Sequence, residues 1–349
     1  MDMEQTHETA IARMRGFIYG NWQTCITSAF AELELAEILV DGTKNIGYLA
    51  NKTGIEPAIL FRFLRCCAQL KFIMIDAGTK DITLTDFGKY LLRNHPGSQR
   101  DAALLNGAFY RYEPWGKITG VLRAGSGEGF SETHKSGSLD FLKDKPAHLE
   151  VFQKAMTNLS VTENETLAKN YDFSRFDHVV DVGGGHGTFL RAVMESNPGM
   201  HGTLFDLEET LASVILPEDP LSERITLTGG NFFESVPATG DLYTMKNILH
   251  NWPVEKVRLI LNTLHLAITG SPGAREKRVL VIEHLMSEDA DAESIAPWMD
   301  MNFFILVGGQ ERTFHEYREL FFGAGFEITK TLLTKTGRSI IELGITPAA

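Results

Sequence analysis

"VDVGGGHGTFL" occupies residues 180–190. The apolar run "HVVDV" leads into it and "TFLRAVMESN" leads out. The first is short, β-branched and followed at once by glycine, as a buried strand is. The second reads as a helix. Between them, Gly183, Gly184, Gly185 and Gly187 let the backbone turn tightly and approach a ligand, which then meets the first amides of the helix. Strand, glycine turn and helix in that order open a doubly wound α/β sheet.

The spacing narrows the ligand. A dinucleotide loop reads G-x-G-x-x-G/A; here Gly183 and Gly185 fit, but Thr188 holds the third place and Gly187 falls one residue early. No G-K-[ST] follows, so a Walker-type phosphate loop is disfavoured as well. Asp206 ends the next strand-like run, "GTLFDL", about 20 residues on, where a carboxylate can take ribose hydroxyls. Asp181 with Gly183 and Gly185, followed by such an acid, is the pattern of S-adenosylmethionine binding.

Working outward, the same rhythm continues. "ITLTGG", "LYTM" and "RVLVIEH" read as strands, and "VEKVRLILNTLHLAI" and "TFHEYRELFFGAGF" as amphipathic helices. "FEITKTLLT" and "SIIELGI" flank the turn Thr336-Gly337 as a hairpin. The fold class is therefore α/β: a doubly wound, Rossmann-like sheet with an antiparallel C-terminal hairpin, over residues 171–349. Upstream, residues 8–40 carry apolar positions at helical spacing, among them Trp22, Ile26 and Phe30. Residues 44–92 read helix, turn, helix and hairpin, like a winged helix, with the hairpin turn near Ala77-Gly78-Thr79. Residues 1–100 are thus expected to form a helical, dimerising and winged-helix-like domain. Residues 101–170, broken by "RAGSGEGFSET", form a helical connector that contributes to a substrate pocket.

Composition bounds the function. The chain has 349 residues, 43% hydrophobic and 22% charged, as in a soluble globular protein of two domains. A formal net charge of −12 is a poor footprint for nucleic acid, and the strongest basic run is only Arg275-Glu276-Lys277-Arg278. In the expected recognition helix, Phe61, Phe63, Leu64, Cys66 and Cys67 outweigh Arg62 and Arg65, so that helix should bury itself. The three cysteines, Cys25, Cys66 and Cys67, have no metal or disulfide spacing, and the adjacent pair reads as buried thiols. No apolar run spans a bilayer, and "MDMEQTHETA" lacks a signal-peptide core, which points to the cytoplasm.

"MKNILHNWP", residues 245–253, places His250 just past a strand end. Ligands of an open α/β sheet sit beyond the carboxyl ends of its strands, where Asp206, Asn231 and Glu283 also fall.

The sequence resembles the small-molecule O-methyltransferases, both the plant caffeate and isoflavone type and the bacterial enzymes that tailor phenazines and aromatic polyketides. The likeness covers nearly the whole chain and is carried by "VDVGGGHG", "FDL", "GGNFF", "MKNILHNW", "VLVIEH" and "GGQERTFHEYRELFFGAGF". It implies S-adenosylmethionine as cofactor, S-adenosylhomocysteine as product, a small aromatic acceptor and a homodimer. It implies a cofactor site of Asp181, Gly183, Gly185, Asp206, Leu207, Asn231, Phe232 and Lys246, with Asn231 and Phe232 at the adenine and Lys246 near it. It implies His250 as catalytic base, flanked by Glu283 and Glu311. Two positions depart from the pattern: Asn231 and Asn251 stand where the family usually has Asp. Phe109, Trp115, Met156, Trp298, Asn302 and Phe303 are the candidates for the acceptor pocket. No metal is expected, since no cluster of acids for magnesium is evident in the sequence. The competing reading keeps the fold and changes the chemistry to hydroxylation, decarboxylation or cyclisation. Such relatives often lose the base, which this chain retains.

Overall fold

A computed structural model describes residues 3–346, apart from 126, 128, 274, 275 and 290. Arg275, the start of the basic run noted above, lies outside the described residues. The chain divides into two compact units. One comprises Met1–Gly116 and Leu139–Leu159, the other Lys117–Ser138 and Ser160–Ala349, so residues 101–170 contribute to both.

The first unit opens with α1 (Met3–Ile18), α2 (Gly20–Glu32) and α3 (Leu35–Leu39). Then come α4 (Ile46–Thr53) and α5 (Pro57–Gln69) and the hairpin β1 (Ile73–Ile75) and β2 (Ile82–Leu84), followed by α6 (Arg100–Gly107) and α7 (Phe109–Gly116). Local chemistry sets the boundaries. The Asn45 side chain accepts the Tyr48 amide at the start of α4, Gly54 closes it in the left-handed conformation, and Pro57 opens α5. Phe30, Leu35, Leu39, Leu49, Leu60, Leu64 and Cys67 form the core. Two expectations fail here. Phe30 is fully buried inside the unit, so it offers nothing to a partner. Cys66 is exposed, because α5 turns Leu60, Leu64 and Cys67 inward and leaves Ile59, Arg62 and Cys66 on its outer stripe.

The second unit contains α8 (Ile118–Ala124) and α9 (Gly129–His134). After α10 (Ser138–Lys143), the helix α11 (Pro146–Asn170) enters it from Ser160 onward. The sheet elements follow: β3 (His178–Val182), α12 (Thr188–Glu195), β4 (His201–Asp206), α13 (Glu208–Leu211), β5 (Ile225–Gly229) and β6 (Leu242–Lys246). The chain continues through α14 (Val254–Thr269), β7 (Arg278–Met286), α15 (Ala296–Val307), β8 (Arg312–Thr313), α16 (Phe314–Gly323), β9 (Phe326–Leu333) and β10 (Arg338–Ile345). The strand order is β5-β4-β3-β6-β7-β10-β9, with β8 against β7. The pairs from β5 to β7 are parallel, and β10 runs antiparallel to β7 and β9.

Alternation along the strands buries both faces. Val180, Val182, Tyr243, Met245, Val279 and Val281 pack with residues of α14 and α16. Val179, Leu204, Leu242, Leu280 and Ile282 pack on the other face with α12 and the end of α11. Connections leave β3 toward β4 on one side and return to β6 on the other, which makes the carboxyl ends of β3 and β6 the crevice of the sheet. Among the described residues, no helix is long and apolar enough to cross a membrane.

Candidate active site

The glycine loop is built as a cradle. Gly183, Gly185 and Gly187 all have positive φ, between 58° and 74°. Side chains rarely adopt that conformation. A Cβ on Gly185 would meet nothing, so the loop is open there; one on Gly183 would strike Ile248. Asp206 ends β4, and its carboxylate accepts the Gly185 amide (2.8 Å) and its neighbour Leu207's amide (2.8 Å). Leu207 itself is 41% exposed. Asp181 is buried at the end of β3 and accepts the Thr244 hydroxyl (2.6 Å). Burial pushes its pKa up to about 6. These features fit an adenosyl cofactor: a backbone open to close approach, an acid at the end of the next strand tied to the loop, and a buried carboxylate beside it.

Two expected cofactor contacts are engaged elsewhere. The Asn231 side chain closes its own turn, accepting the Phe233 amide (3.0 Å) and donating to Glu234 (3.0 Å). Lys246, at the end of β6, pairs with Glu163 of α11 at 2.8 Å. Phe232 is half-buried, edge-on to Phe233 and Trp252.

His250 lies in a short 3-10 turn after β6, reached through Asn247 in the left-handed conformation (φ 60°). The Asn251 amide donates to the Asn247 carbonyl (2.9 Å), a bond that an ionised Asp could not donate. Glu283 of β7 takes the Ile248 and Leu249 amides on Oε1 (3.0 and 2.9 Å) and turns Oε2 to His250 Nδ1 at 3.1 Å. Glu311 Oε1 lies at the same distance, 3.1 Å, from the same nitrogen. Both carboxyls and the imidazole are buried. Nε2 has no hydrogen-bond partner among the described residues. The Phe303 ring packs on the imidazole with centroids 4.0 Å apart.

The sequence hid several supports of this histidine. Gln310 donates to the His250 carbonyl (2.8 Å), and Asp300 accepts the Glu311 amide (2.9 Å). The buried Arg312 donates to the carbonyls of Leu249 (3.2 Å), Gln310 (3.1 Å) and Trp252 (2.8 Å), clamping the turn on both sides of His250. Gly309 lies flat against that turn; a Cβ there would collide with the His250 carbonyl. The glycine pair in "GGQERT" was visible, but nothing in it named the backbone it touches.

Burial lowers the pKa of His250 below the usual 6.5, and the Glu283 charge opposes this. Burial raises Glu283 and pushes Glu311 up to about 8. Two buried carboxylates facing one Nδ1 cannot both stay ionised cheaply. Two backbone amides and the imidazole favour the charge on Glu283 against its burial, and Glu311, pushed up to about 8, is the carboxyl that takes a proton. His250, Glu283 and Glu311 bring donor atoms within 4.8 Å of one another. This set, with its ring nitrogen, differs from the all-oxygen octahedron that magnesium favours.

Of the acceptor-pocket candidates, Phe303 meets the histidine. Trp298 and Asn302 lie on the same helix, Trp298 70% exposed. Phe109, Trp115 and Met156 belong to the first unit, where Phe109 is 73% exposed.

Residues 115–327 match the family described as the O-methyltransferase domain. The chain belongs to that O-methyltransferase family. The methyltransferase is 29% identical over 327 residues to the phenazine O-methyltransferase PhzM of Lysobacter antibioticus, covering 93% of each chain. It is 30% identical over 327 residues to the 3-amino-4-hydroxybenzoate 4-O-methyltransferase of Streptomyces cremeus, covering 92% of this chain and 86% of that one. Its fold matches the S-adenosylhomocysteine-bound CalO1, a methyltransferase of calicheamicin biosynthesis, with a TM-score of 0.81, 28% identity and full coverage of both chains. The protein is an S-adenosylmethionine-dependent O-methyltransferase.

Proposed function

We propose that this methyltransferase methylates a hydroxyl of an aromatic natural product, a phenol, a phenazine or a polyketide, with His250 as general base. The observation that carries the proposal is the imidazole itself: Nδ1 is held at 3.1 Å by two carboxyls while Nε2 is left without a partner among the described residues. A ring so oriented presents one nitrogen as acceptor. The names of the phenazine and aminohydroxybenzoate enzymes support an aromatic acceptor.

Bound S-adenosylmethionine supplies an electrophilic methyl group on its sulfonium. The glycine loop and Asp181 hold its amino-acid end, Asp206 its ribose, and the stretch around Leu207, Asn231 and Phe232 its adenine. Lys246, already paired with Glu163, braces α11 against the strand end. His250 takes the acceptor's proton on Nε2. A phenol near pKa 10 and an imidazole near 6.5 differ by about 3.5 units, roughly 5 kcal/mol, and burial widens the gap. Glu283 narrows it, since its charge stabilises the imidazolium formed in the reaction. Phe303 fixes the ring plane, and Trp298 and Asn302 extend the acceptor surface from the same helix. A homodimer built on the N-terminal helices completes the proposal.

Incubation with methyl-labelled S-adenosylmethionine and a panel of phenols, phenazines and polyketide aromatics should give a product heavier by one labelled methyl. Consumption of an acceptor with a gain of oxygen or loss of carbon dioxide would instead establish the non-methylating chemistry.

A further inference from the structure

α11 reaches the crevice of the sheet at two consecutive residues. Glu163 pairs with Lys246 at the end of β6 (2.8 Å) and accepts from Arg338 at the start of β10 (2.7 Å). Asn164 donates through Nδ2 to the Thr188 hydroxyl (3.0 Å), at the first residue of α12. Asn164 therefore sits beside the helix start that follows the glycine loop. It is 1% exposed, and its Oδ1 is buried without a hydrogen-bond partner among the described residues. A buried amide oxygen left unpaired is costly.

Asp181 faces the same space. On β3 it alternates with Val180 and Val182 and so shares a sheet face with Val179, which packs with Leu167 and Ala168 of α11. Those two stand three and four residues after Asn164, on the same side of their helix. Asp181 Oδ1 accepts from Thr244, and Oδ2, also buried, makes no hydrogen bond of full geometry among the described residues, although the Leu190 amide in the first turn of α12 lies close enough to lower the carboxyl's pKa against the rise that burial imposes. Two acceptor oxygens without a full hydrogen bond thus flank the start of α12, one neutral and one acidic. Such acceptors suit a cationic donor. The cofactor's methionine end carries such a group, the α-ammonium, while its carboxylate suits the amides of the helix start.

We infer that Asn164 is a cofactor-binding residue whose Oδ1, with Asp181, reads the α-ammonium of S-adenosylmethionine. This rests on the cofactor lying over the glycine loop. Nothing in the sequence singled Asn164 out.

Calorimetry with four ligands tests it: S-adenosylhomocysteine, its analogue lacking the α-amino group, its analogue lacking the carboxylate, and 5′-methylthioadenosine, which lacks the whole amino-acid end. Asn164→Leu should weaken S-adenosylhomocysteine and the decarboxylated analogue about 10- to 100-fold, as for a bond to a charged group. It should leave the deaminated analogue and 5′-methylthioadenosine within about twofold of wild type. If the Leu variant does not fold, Asn164→Asp keeps an acceptor and should bind S-adenosylhomocysteine at least as tightly as wild type. Equal weakening of all four ligands by the Leu variant would overturn the inference. So would indifference of the decarboxylated analogue, or weaker S-adenosylhomocysteine binding by the Asp variant. Asp206→Ala separates this from the cofactor placement: it should weaken every ligand, 5′-methylthioadenosine included, whereas unchanged binding of all four would displace the cofactor from the loop.

Discussion

Nδ1 of His250 meets two carboxyl oxygens at 3.1 Å, and one nitrogen offers one proton. The protonated Glu311 that resolves this has a measurable consequence. Stability that rests on its neutral form is full below the unfolded carboxyl pKa of about 4.3 and is lost as pH rises through the folded value, about 8. Glu311→Gln cannot ionise, so its melting temperature should gain on wild type between pH 5 and pH 8; a constant difference would mean that Glu311 is ionised throughout. Kinetics carry a second mark. Because burial lowers His250, kcat/KM should rise with pH through a midpoint below 6.5, where the free base forms. Glu283→Gln removes the charge that raises His250 and should move that midpoint lower still. A midpoint above 7 in wild type would reverse the electrostatic order described for the site. At this scale the sequence was half legible. His250 stood out by its position after a strand, but its two acid partners come from β7 and from the residue before β8, a pairing that only tertiary packing or family resemblance reveals.

The element that carries the histidine is the turn between β6 and α14. It bends through Asn247 at φ 60°, where a β-branched side chain collides with its own backbone. Asn247→Gly should leave stability nearly unchanged, while Asn247→Val should cost about 1–2 kcal/mol in chemical denaturation; equal effects would show that the turn is not strained. Gly309→Ala should push the His250 backbone aside and lower both kcat and the thermal midpoint of the fold; an unchanged kcat would show that the turn tolerates the shift. The β-α rhythm around this turn was readable because strand alternation, glycine turns and helical spacing are local signals. The supports of the turn were not. Arg312, Asp300 and Gly309 act on backbone far away in sequence, and Glu163 and Asn164 stand mid-helix in a stretch with no turn or motif to mark them. Cys66 and Phe30 failed for a related reason: apolar content shows that a helix has an inner face but not which residues a partner could reach.

Across the whole molecule, an unpartnered apolar surface runs along α1 and the start of α2. Met14, Phe17, Ile18 and Trp22 are each more than half exposed, while Phe30 further along belongs to the core. Burying these side chains against a second copy would supply the contact expected of a dimer. Light scattering at micromolar concentration should give twice the mass of one chain, and Phe17→Glu with Trp22→Glu should give the monomer. A monomeric wild type would remove this surface from the account.

In the proposed reaction Nε2 of His250 takes the acceptor's proton, and steady-state kinetics of His250→Gln over a series of substituted phenols checks that step. S-adenosylmethionine should bind the variant as it binds wild type, and turnover should fall about 10²- to 10⁴-fold. The loss should be largest for the least acidic phenols and shrink as the acceptor's pKa falls, because acidic phenols need less help to ionise. A loss of equal size across the series would mean that His250 positions the acceptor and leaves its proton to another base.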